Sequence, residues 1–274
     1  MALARSHSWS ILTLLALSFL LINTGSCFKR KLFYNVLNES QSTWSPAGAT
    51  WYGSANGAGS NEGACGYGDA VEQAPFSSFT TAGGPSLFKS GKECGACYQV
   101  KCTASVNPAC SEQLVTVVIT DECPGCASES VHFDLSGTAF GAMALPGQAH
   151  QLRNAGVLEI QYQRAKCSYP DKKITFQVDT GSNPYYFAAL IKYVDGDGVL
   201  GSVELKQAGD SDSWLPLQQS WGAVWKLDAG FALQAPFSIR LTGLDFGNTI
   251  VANNVIPDGW KPGETYTSDV TFAT

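Results

Sequence analysis

Short runs of alternating apolar and polar residues dominate the chain, and a period of two is that of a half-buried β-strand. In the first half, residues 96–102, 114–120 and 157–163 predict three strands. Helical spacing is confined to two short stretches, residues 136–143 and 149–154. Strands separated by turn clusters, with little helix, predict a β-barrel or a sandwich for this half.

The alternation becomes cleaner after residue 173. Ile174, Phe176 and Val178 fall on one side of a predicted strand, and residues 237–241 repeat the pattern. About a hundred residues with seven or eight such strands indicate an Ig-like β-sandwich. The Asp-Gly repeat at residues 195–198 resembles part of a calcium loop, but the trailing Glu ligand is missing, and we predict a hairpin turn there.

The amino-terminal residues are typical of an export signal. Arg5 precedes an apolar run at residues 11–22, and small residues follow at 25–27. This run is shorter than the ~20 residues that cross a bilayer, so a signal peptide of residues 1–27 is favoured over a membrane anchor. Residues 28–48 form a polar leader, in which Asn38 is an acceptor for N-glycosylation.

Composition and charge narrow the domain organisation and the partners. The chain has 274 residues, of which 45% are hydrophobic and 15% charged, enough for two domains with sizeable cores. A polar, proline-containing joint at 168–173 divides them, so we predict a first domain at 49–170 and a second at 171–274. Removal of the signal takes Arg5 from the net charge of −6 and leaves 16 basic against 23 acidic residues, or −7. This charge disfavours nucleic acids and anionic membranes as partners and allows a neutral one.

The cysteines indicate a stapled first domain. Of the nine, Cys27 belongs to the signal, and the other eight lie between residues 65 and 167. In an exported protein this even number predicts disulfides. Zinc is the alternative, because the chain has two Cys-x-x-Cys pairs, but their separation exceeds the usual ~15–20 residues. Spacing alone does not choose among the 105 possible pairings, and we expect neither a metal nor a cofactor.

Two carboxylates are candidates for chemistry. Asp134 ends a short predicted strand, and Asp121 ends the strand predicted at 114–120, so both are expected to converge at the ends of neighbouring strands. Glycoside hydrolysis usually needs such a pair. The alternative is structural, since Asp134 or Ser136 would also serve as the N-cap of the following helix.

Aromatic residues are candidates for binding a sugar. Trp51 and Tyr52 lie in a glycine-rich segment, where they either stack on a pyranose ring or pack in the core. In the second domain Trp221 and Trp225 are four residues apart, and within one continuous strand they would share a sheet face. The other aromatic candidates of this domain are Tyr186, Trp214 and Trp260.

The motifs together resemble those of the plant expansins. They include Thr-Trp-Tyr-Gly at 50–53, Gly-Ala-Cys-Gly-Tyr-Gly at 63–68, Thr-Asp-Glu-Cys-Pro-Gly-Cys at 120–126 and His-Phe-Asp-Leu-Ser at 132–136. The segment 137–144 is similar to the β-expansin branch, which includes the grass group-1 pollen allergens. The resemblance covers nearly all of the chain that follows the signal.

The resemblance implies an all-β protein with two domains. The first is expected to be a six-stranded double-psi β-barrel similar to family-45 endoglucanases, and the second an Ig-like β-sandwich that binds carbohydrate. It implies a secreted, monomeric protein of the extracellular cell wall that is not an enzyme. Such a protein disrupts non-covalent contacts between cellulose and matrix glycans such as xyloglucan or arabinoxylan. Two alternatives stay open: a weak endoglucanase that uses Asp134 as its general acid, and a protein that only binds glucans.

The resemblance also implies roles for individual residues. Asp134 and Asp121 match a vestigial acid site, whose catalytic base is missing here. The residues expected to contact polysaccharide are Thr50, Trp51, Tyr52, His132, Tyr186 and Trp221, with Trp214 as an additional or structural ring. The implied disulfides are Cys65–Cys94, Cys97–Cys167 and Cys102–Cys110, while Cys123 and Cys126 either bridge each other or stay reduced.

Overall fold

The computed structural model describes residues 44–126, 130–209 and 213–272. The predicted signal peptide, most of the predicted leader, Cys27 and Asn38 lie outside the described residues. The first strand begins at Ser45, ahead of the domain start predicted at residue 49.

The first fold is a closed barrel of six strands. They are β1 (Ser45–Tyr52), β2 (Thr80–Gly83), β3 (Cys97–Lys101), β4 (Val115–Glu122), β5 (His132–Ser136) and β6 (Leu158–Ala165). Around the barrel they follow the order β1-β5-β2-β4-β3-β6. β1 pairs in parallel with β5, and β2 with β4, whereas an up-and-down barrel pairs only antiparallel strands. This confirms the predicted double-psi β-barrel.

Short helices pack against the barrel. They are α1 (Pro85–Phe88), α2 (Gly137–Ala142) and α3 (Ala149–Arg153), with 3₁₀ turns at Gly68–Glu72 and Lys89–Gly91. The last two α-helices confirm the two predicted helical stretches. The hydroxyl of Ser136 accepts a hydrogen bond from the N–H of Ala139 at 3.1 Å, so Ser136 is the N-cap of α2 and Asp134 is free of that role.

The second fold is a β-sandwich of eight strands. They are β7 (Thr175–Val178), β8 (Tyr186–Lys192), β9 (Leu200–Lys206), β10 (Leu215–Trp221), β11 (Val224–Asp228), β12 (Phe237–Gly243), β13 (Thr249–Ile256) and β14 (Thr265–Thr267). β10 pairs with β9 through its first residues and with β11 through its last, so it passes between two half-sheets. The first half-sheet has the order β10-β11-β8-β7-β14, and the second β10-β9-β12-β13.

The two half-sheets share one apolar core. Phe187 from the first and Phe237 from the second are fully buried, with ring centroids 5.5 Å apart. Ile174, Phe176 and Val178 are buried in the same cluster, as their alternation predicts. The Ig-like sandwich is therefore confirmed.

The joint between the folds is a packed contact rather than a loose linker. β6 ends at Ala165 and β7 begins at Thr175, so the predicted joint at 168–173 lies between the two folds. The predicted hairpin turn at 195–198 is wrong, because β8 and β9 belong to different half-sheets. This segment instead meets the joint, where Asp195 accepts a hydrogen bond from the N–H of Tyr169 at 2.7 Å. Both Tyr169 and Asp195 are buried, so the two folds are in direct contact at the joint.

Disulfides staple the barrel and are absent from the described residues of the sandwich, apart from the joint. The pairs are Cys65–Cys94, Cys97–Cys167, Cys102–Cys110 and Cys123–Cys126. The first three are those that the family resemblance implies, and the fourth settles the alternative left open for the last pair. Disulfides, rather than zinc, are the correct interpretation of the cysteines.

Candidate functional site

Three predicted polar residues of the barrel, Thr50, Asp121 and Asp134, lie in one row across four strands. In β5, Phe133 and Leu135 are fully buried, so the alternate residues His132 and Asp134 face outwards. Asp134 is opposite Thr50 of β1 on one side and Ala82 of β2 on the other.

The second carboxylate lies at the far end of the same row. Ala82 is opposite Asp121 of β4, so the row runs from Asp121 through Ala82 and Asp134 to Thr50. The expectation of neighbouring strands is corrected, because β2 separates the two acids. Two strand spacings of about 4.8 Å place their Cα atoms about 10 Å apart.

Two residues of this row, Thr50 and Asp134, are joined by a hydrogen bond, and Thr50 is also bonded to His132, which lies two positions before Asp134 in β5. The Thr50 hydroxyl donates to Oδ1 of Asp134 at 2.6 Å and lies 3.0 Å from Nε2 of His132. A hydroxyl has one proton, so Thr50 accepts from His132, whose neutral ring is then the Nε2–H tautomer. Burial lowers the pKa of His132, and the nearby Asp134 carboxylate opposes this, with a net lowering. The ring is therefore neutral near pH 7.

Both oxygens of the Asp121 carboxylate accept hydrogen bonds from other groups of the protein. Its Oδ1 accepts hydrogen bonds from the backbone N–H groups of Ala64 and Glu122, both at 2.8 Å. Its Oδ2 accepts from the Tyr52 hydroxyl at 3.2 Å. Within the described residues, Oδ2 of Asp134 by contrast accepts no protein hydrogen bond.

Tyr52 lies between the two carboxylates and stays protonated. Burial, then the charge and hydrogen bond of Asp121, and then the charge of Asp134, raise the pKa of Tyr52 well above its usual value. The glycine-rich segment after β1 folds against its ring, and a Cβ at Gly59 would overlap that ring. Gly59 also has a φ of 84°, which glycine adopts without strain.

Trp51 is separated from its two neighbours. It alternates with Thr50 and Tyr52 along β1 and packs against the barrel core. Its indole N–H donates to the carbonyl of Arg153 at 3.0 Å, and the Arg153 guanidinium lies 5.9 Å from the ring centre. Trp51 therefore packs on the core side of β1, opposite the side that carries Thr50 and Tyr52.

Trp221 is an exposed ring of the sandwich, and it lies against the barrel. Trp221 is 51% exposed. A Cβ at Gly66 would lie 2.7 Å from Cη2 of Trp221, so the ring packs directly on the backbone of the barrel. Beside it, Leu190, Val224 and other residues of the first half-sheet line a cleft of about 130 Å³.

Tyr186 lies on the same outer side of the first half-sheet. It alternates with Phe187, which is in the core, and is partly buried against the barrel cluster. Four residues along β8 separate Tyr186 from Leu190, which is about 13 Å. The adjacent Tyr185 is 57% exposed, and sequence reasoning did not single it out.

The other tryptophans of the sandwich lie elsewhere. The shared face expected for Trp221 and Trp225 is wrong, because a turn at Gly222 separates β10 from β11 and Trp225 is buried in the core. Trp260 packs on the core ring of Phe187. Trp214 precedes β10 beside the second half-sheet, where the Arg240 guanidinium lies 4.5 Å from its ring centre.

The described residues limit other kinds of site. None of their His, Cys, Asp and Glu side chains form a group of three or more that could hold a metal ion. Among the same residues, no helix combines the length and apolar character needed to cross a bilayer. The site offers hydrogen-bonding groups, one carboxylate oxygen that accepts no protein hydrogen bond among the described residues, and aromatic rings, and such groups bind the hydroxyls and C–H faces of sugars.

We call the surface formed by Thr50, Tyr52, Asp121, His132 and Asp134 the groove. The segment 63–66 lies between this groove and Trp221, and in the sequence it stands out only as a cysteine-containing motif. Its role depends on contacts with Asp121, 57 residues away, and with the turn at Gly222 in the other domain. No local pattern in the sequence predicts such contacts.

Comparisons with known proteins agree with this architecture. Residues 80–162 match the family model described as lytic transglycolase, and residues 174–257 match the expansin C-terminal domain. The chain is 61% identical over 260 residues to expansin-B2 of Arabidopsis thaliana, which covers 94% of each chain. It is 57% identical over 234 residues to expansin-B11 of Oryza sativa subsp. japonica, which covers 84% of this chain and 78% of that one.

Solved structures share the fold. The apo expansin of Clavibacter michiganensis superposes with a TM-score of 0.63 at 21% identity, covering 85% of this chain and 99% of that one. A point mutant of the same bacterial protein, solved in complex with cellohexaose, gives the same values.

Proposed function

Because the chain belongs to the plant expansins, in their β-expansin branch, we propose that it loosens cell walls by binding glucans without cutting them. The polar row of the barrel and the aromatic rings of the sandwich form the proposed binding surface. The observation that supports this most directly is the contact of Trp221 with Gly66, since it joins the two parts into one surface.

The groove would compete for the hydrogen bonds that hold glucan chains together. Each such bond contributes only about 0.5–1.5 kcal/mol net, so a protein can displace them in small local groups without breaking covalent bonds. Oδ2 of Asp134 and the ring of His132 are the groups that we assign to sugar hydroxyls. Thr50 holds both of them in place.

The state of the second carboxylate supports a non-hydrolytic role. Hydrolysis would need a second carboxylate as base or nucleophile beside Asp134. Asp121 accepts three protein hydrogen bonds, and Tyr52, its hydroxyl partner, stays protonated. A carboxylate held in this way is poorly placed to activate water or to attack a sugar.

We call the outer side of the first half-sheet, with Trp221 and Tyr186, the platform, and we assign to it the affinity for the glucan and its orientation. We assign Trp221 and Tyr186 to stacking on the C–H faces of glucose units, because both lie on the outer side of the first half-sheet. Trp214 stays predicted as an additional or structural ring, and it lies beside the second half-sheet rather than on this surface. We further propose that the protein is secreted to the cell wall, that it acts as a monomer, and that its partners are cellulose and matrix glucans.

The test is a pair of assays on the same material. Heat-killed wall strips under constant load are treated with the protein, and their creep and the release of reducing sugar are measured together. The expected result is creep without sugar release, with heat-denatured protein as the control. Release of reducing sugar in proportion to creep would support the endoglucanase instead, and binding without creep would leave only a glucan-binding protein.

A further inference from the structure

We infer that Asp121 is a positioning residue that keeps the Trp221 ring in register with the groove, rather than a carboxylate that binds sugar. This inference rests on the proposed function for its consequence, but its physical basis is independent of any ligand. Asp121 would then link the groove of the barrel to the Trp221 ring of the sandwich.

The first step is the contact between Asp121 and the segment 63–66. Oδ1 of Asp121 accepts the N–H of Ala64 at 2.8 Å, and the N–H of Cys65 donates to the carbonyl of Thr120 at 3.2 Å. A Cβ at Gly63 would lie 3.2 Å from the Asp121 Cβ, so the segment lies directly against this side chain. The end of β4 therefore holds the segment through one hydrogen bond to the Asp121 carboxylate, one backbone–backbone hydrogen bond and close packing.

The second step is the contact between that segment and the sandwich. The N–H of Ala223 donates to the carbonyl of Cys65 at 3.1 Å. A Cβ at Gly222 would lie 2.6 Å from the carbonyl oxygen of Ala64, and Gly66 supports the Trp221 ring as described above. The turn that carries Trp221 thus rests on the backbone that Asp121 holds.

The third step concerns the oxygens of Asp121. Three protein donors, the N–H groups of Ala64 and Glu122 and the hydroxyl of Tyr52, use the two oxygens. These three donors occupy three of the about four acceptor sites of the carboxylate, and hydrogen bonds to a charged acceptor are stronger than neutral ones, so Asp121 is committed mainly to the protein. Loss of the carboxylate would leave the N–H of Ala64 without its acceptor. The segment 63–66, on which the Trp221 ring packs, would then be held less firmly.

The test compares two substitutions of Asp121. Asp121→Ala removes the acceptor, whereas Asp121→Asn keeps an Oδ1 that accepts the same two N–H groups. Hydrogen exchange of the Ala64 and Ala223 amides and the affinity for cellohexaose by calorimetry are measured for both. We expect Asp121→Ala to speed both exchanges and to weaken cellohexaose binding about tenfold. We expect Asp121→Asn to keep both exchange rates and the affinity close to those of wild type. Glu72→Ala, at an exposed acidic residue, is the control for lost charge.

A double-mutant cycle separates positioning from direct contact. If Asp121 acts through Trp221, Asp121→Ala has little further effect on affinity in a Trp221→Ala background. Additive losses, unchanged exchange in Asp121→Ala, or equal losses in the Asn and Ala variants would each overturn the inference. Wild-type protein that fails to bind cellohexaose would contradict the proposed function, while the exchange measurement would still decide the positioning.

A second pair of variants covers the case in which Asp121→Ala does not fold. Gly66→Ala places a methyl group against the Trp221 ring without touching Asp121. Gly68→Ala is its matched control, because Gly68 also has a positive φ, 58° against 83° for Gly66, and nothing lies within 4 Å of its added Cβ. We expect Gly66→Ala to weaken cellohexaose binding several-fold relative to Gly68→Ala, and equal affinities would contradict the inference.

Discussion

The barrel groove and the sandwich platform are built in opposite ways. In the groove, polar side chains hold one another, as Thr50 holds Asp134 and His132, and the Cys65–Cys94 disulfide fixes the segment beside them. On the platform, Trp221 is held by packing on backbone, and the sandwich beneath it depends on an apolar core. The groove therefore supplies direction through hydrogen bonds, and the platform supplies contact area.

This difference predicts separate consequences for damage in the two regions. Loss of a groove group should remove the mechanical effect and leave most of the binding. Loss of a platform ring should remove binding in proportion to the area that it covers. Each prediction below tests one side of this division.

The largest effect is expected for Asp134→Asn. The variant keeps an oxygen that accepts from Thr50, but it replaces the other carboxylate oxygen by an NH2 group, which donates hydrogen bonds instead of accepting them. Hydrogen bonds to a charged group contribute about 1.5–3 kcal/mol, so we expect wall creep to fall at least about tenfold. Creep of wall strips measures this, and cellulose pull-down should stay within about twofold. Full creep in the variant would refute the role of Asp134.

The next effect concerns the stability of the sandwich. Phe237→Ala removes a fully buried ring that packs on Phe187, and such changes cost about 3–5 kcal/mol of unfolding free energy. Phe231→Ala is the control, because Phe231 is an exposed ring of the same domain. Denaturant unfolding should separate the two variants by at least about 2 kcal/mol. Similar midpoints would mean that the core of the sandwich is not what holds the platform.

The sequence predicts the strands better than the contacts between them. Alternation places β3, β4, β6 and β7 within one or two residues, because burial of one strand face is a local property. The family resemblance supplies what alternation cannot, namely the closed barrel and the disulfide pairs. Asp134 and Thr50 were both predicted, but their hydrogen bond follows from the pairing of β1 with β5, which spacing does not reveal.

The misplaced predictions share one physical cause. The face assigned to Trp225 and the turn assigned to residues 195–198 both assumed a continuous local strand or hairpin. Instead, a turn at Gly222 separates the two tryptophans, and the chain changes half-sheets between β8 and β9. Such changes are decided by packing between distant segments, as is the contact of Gly66 with Trp221.

A smaller effect, on the affinity for cellohexaose, distinguishes the two half-sheets. Trp221→Ala removes an exposed ring of the proposed platform, and we expect it to weaken cellohexaose binding by about 2 kcal/mol, roughly thirtyfold. Trp214→Ala is the matched change on the other half-sheet, where Arg240 and Lys206 lie over the ring. We expect that variant to bind within about twofold of wild type in calorimetry. A larger loss for Trp214→Ala than for Trp221→Ala would move the binding surface to the second half-sheet.

The smallest effect concerns the charge of His132 in the groove. Burial lowers the pKa of His132, so the unfolded chain takes up its proton at a higher pH than the folded protein does. The stability that this residue contributes is therefore complete above the ordinary pKa of about 6.5 and falls as the pH drops through the window below it. Urea unfolding at pH 7, 6 and 5 should show the difference between wild type and His132→Gln shrinking as the pH falls. His150→Gln, at an exposed histidine, is the control, and a His132 difference that does not change with pH would show that burial leaves the ring's protonation unaffected.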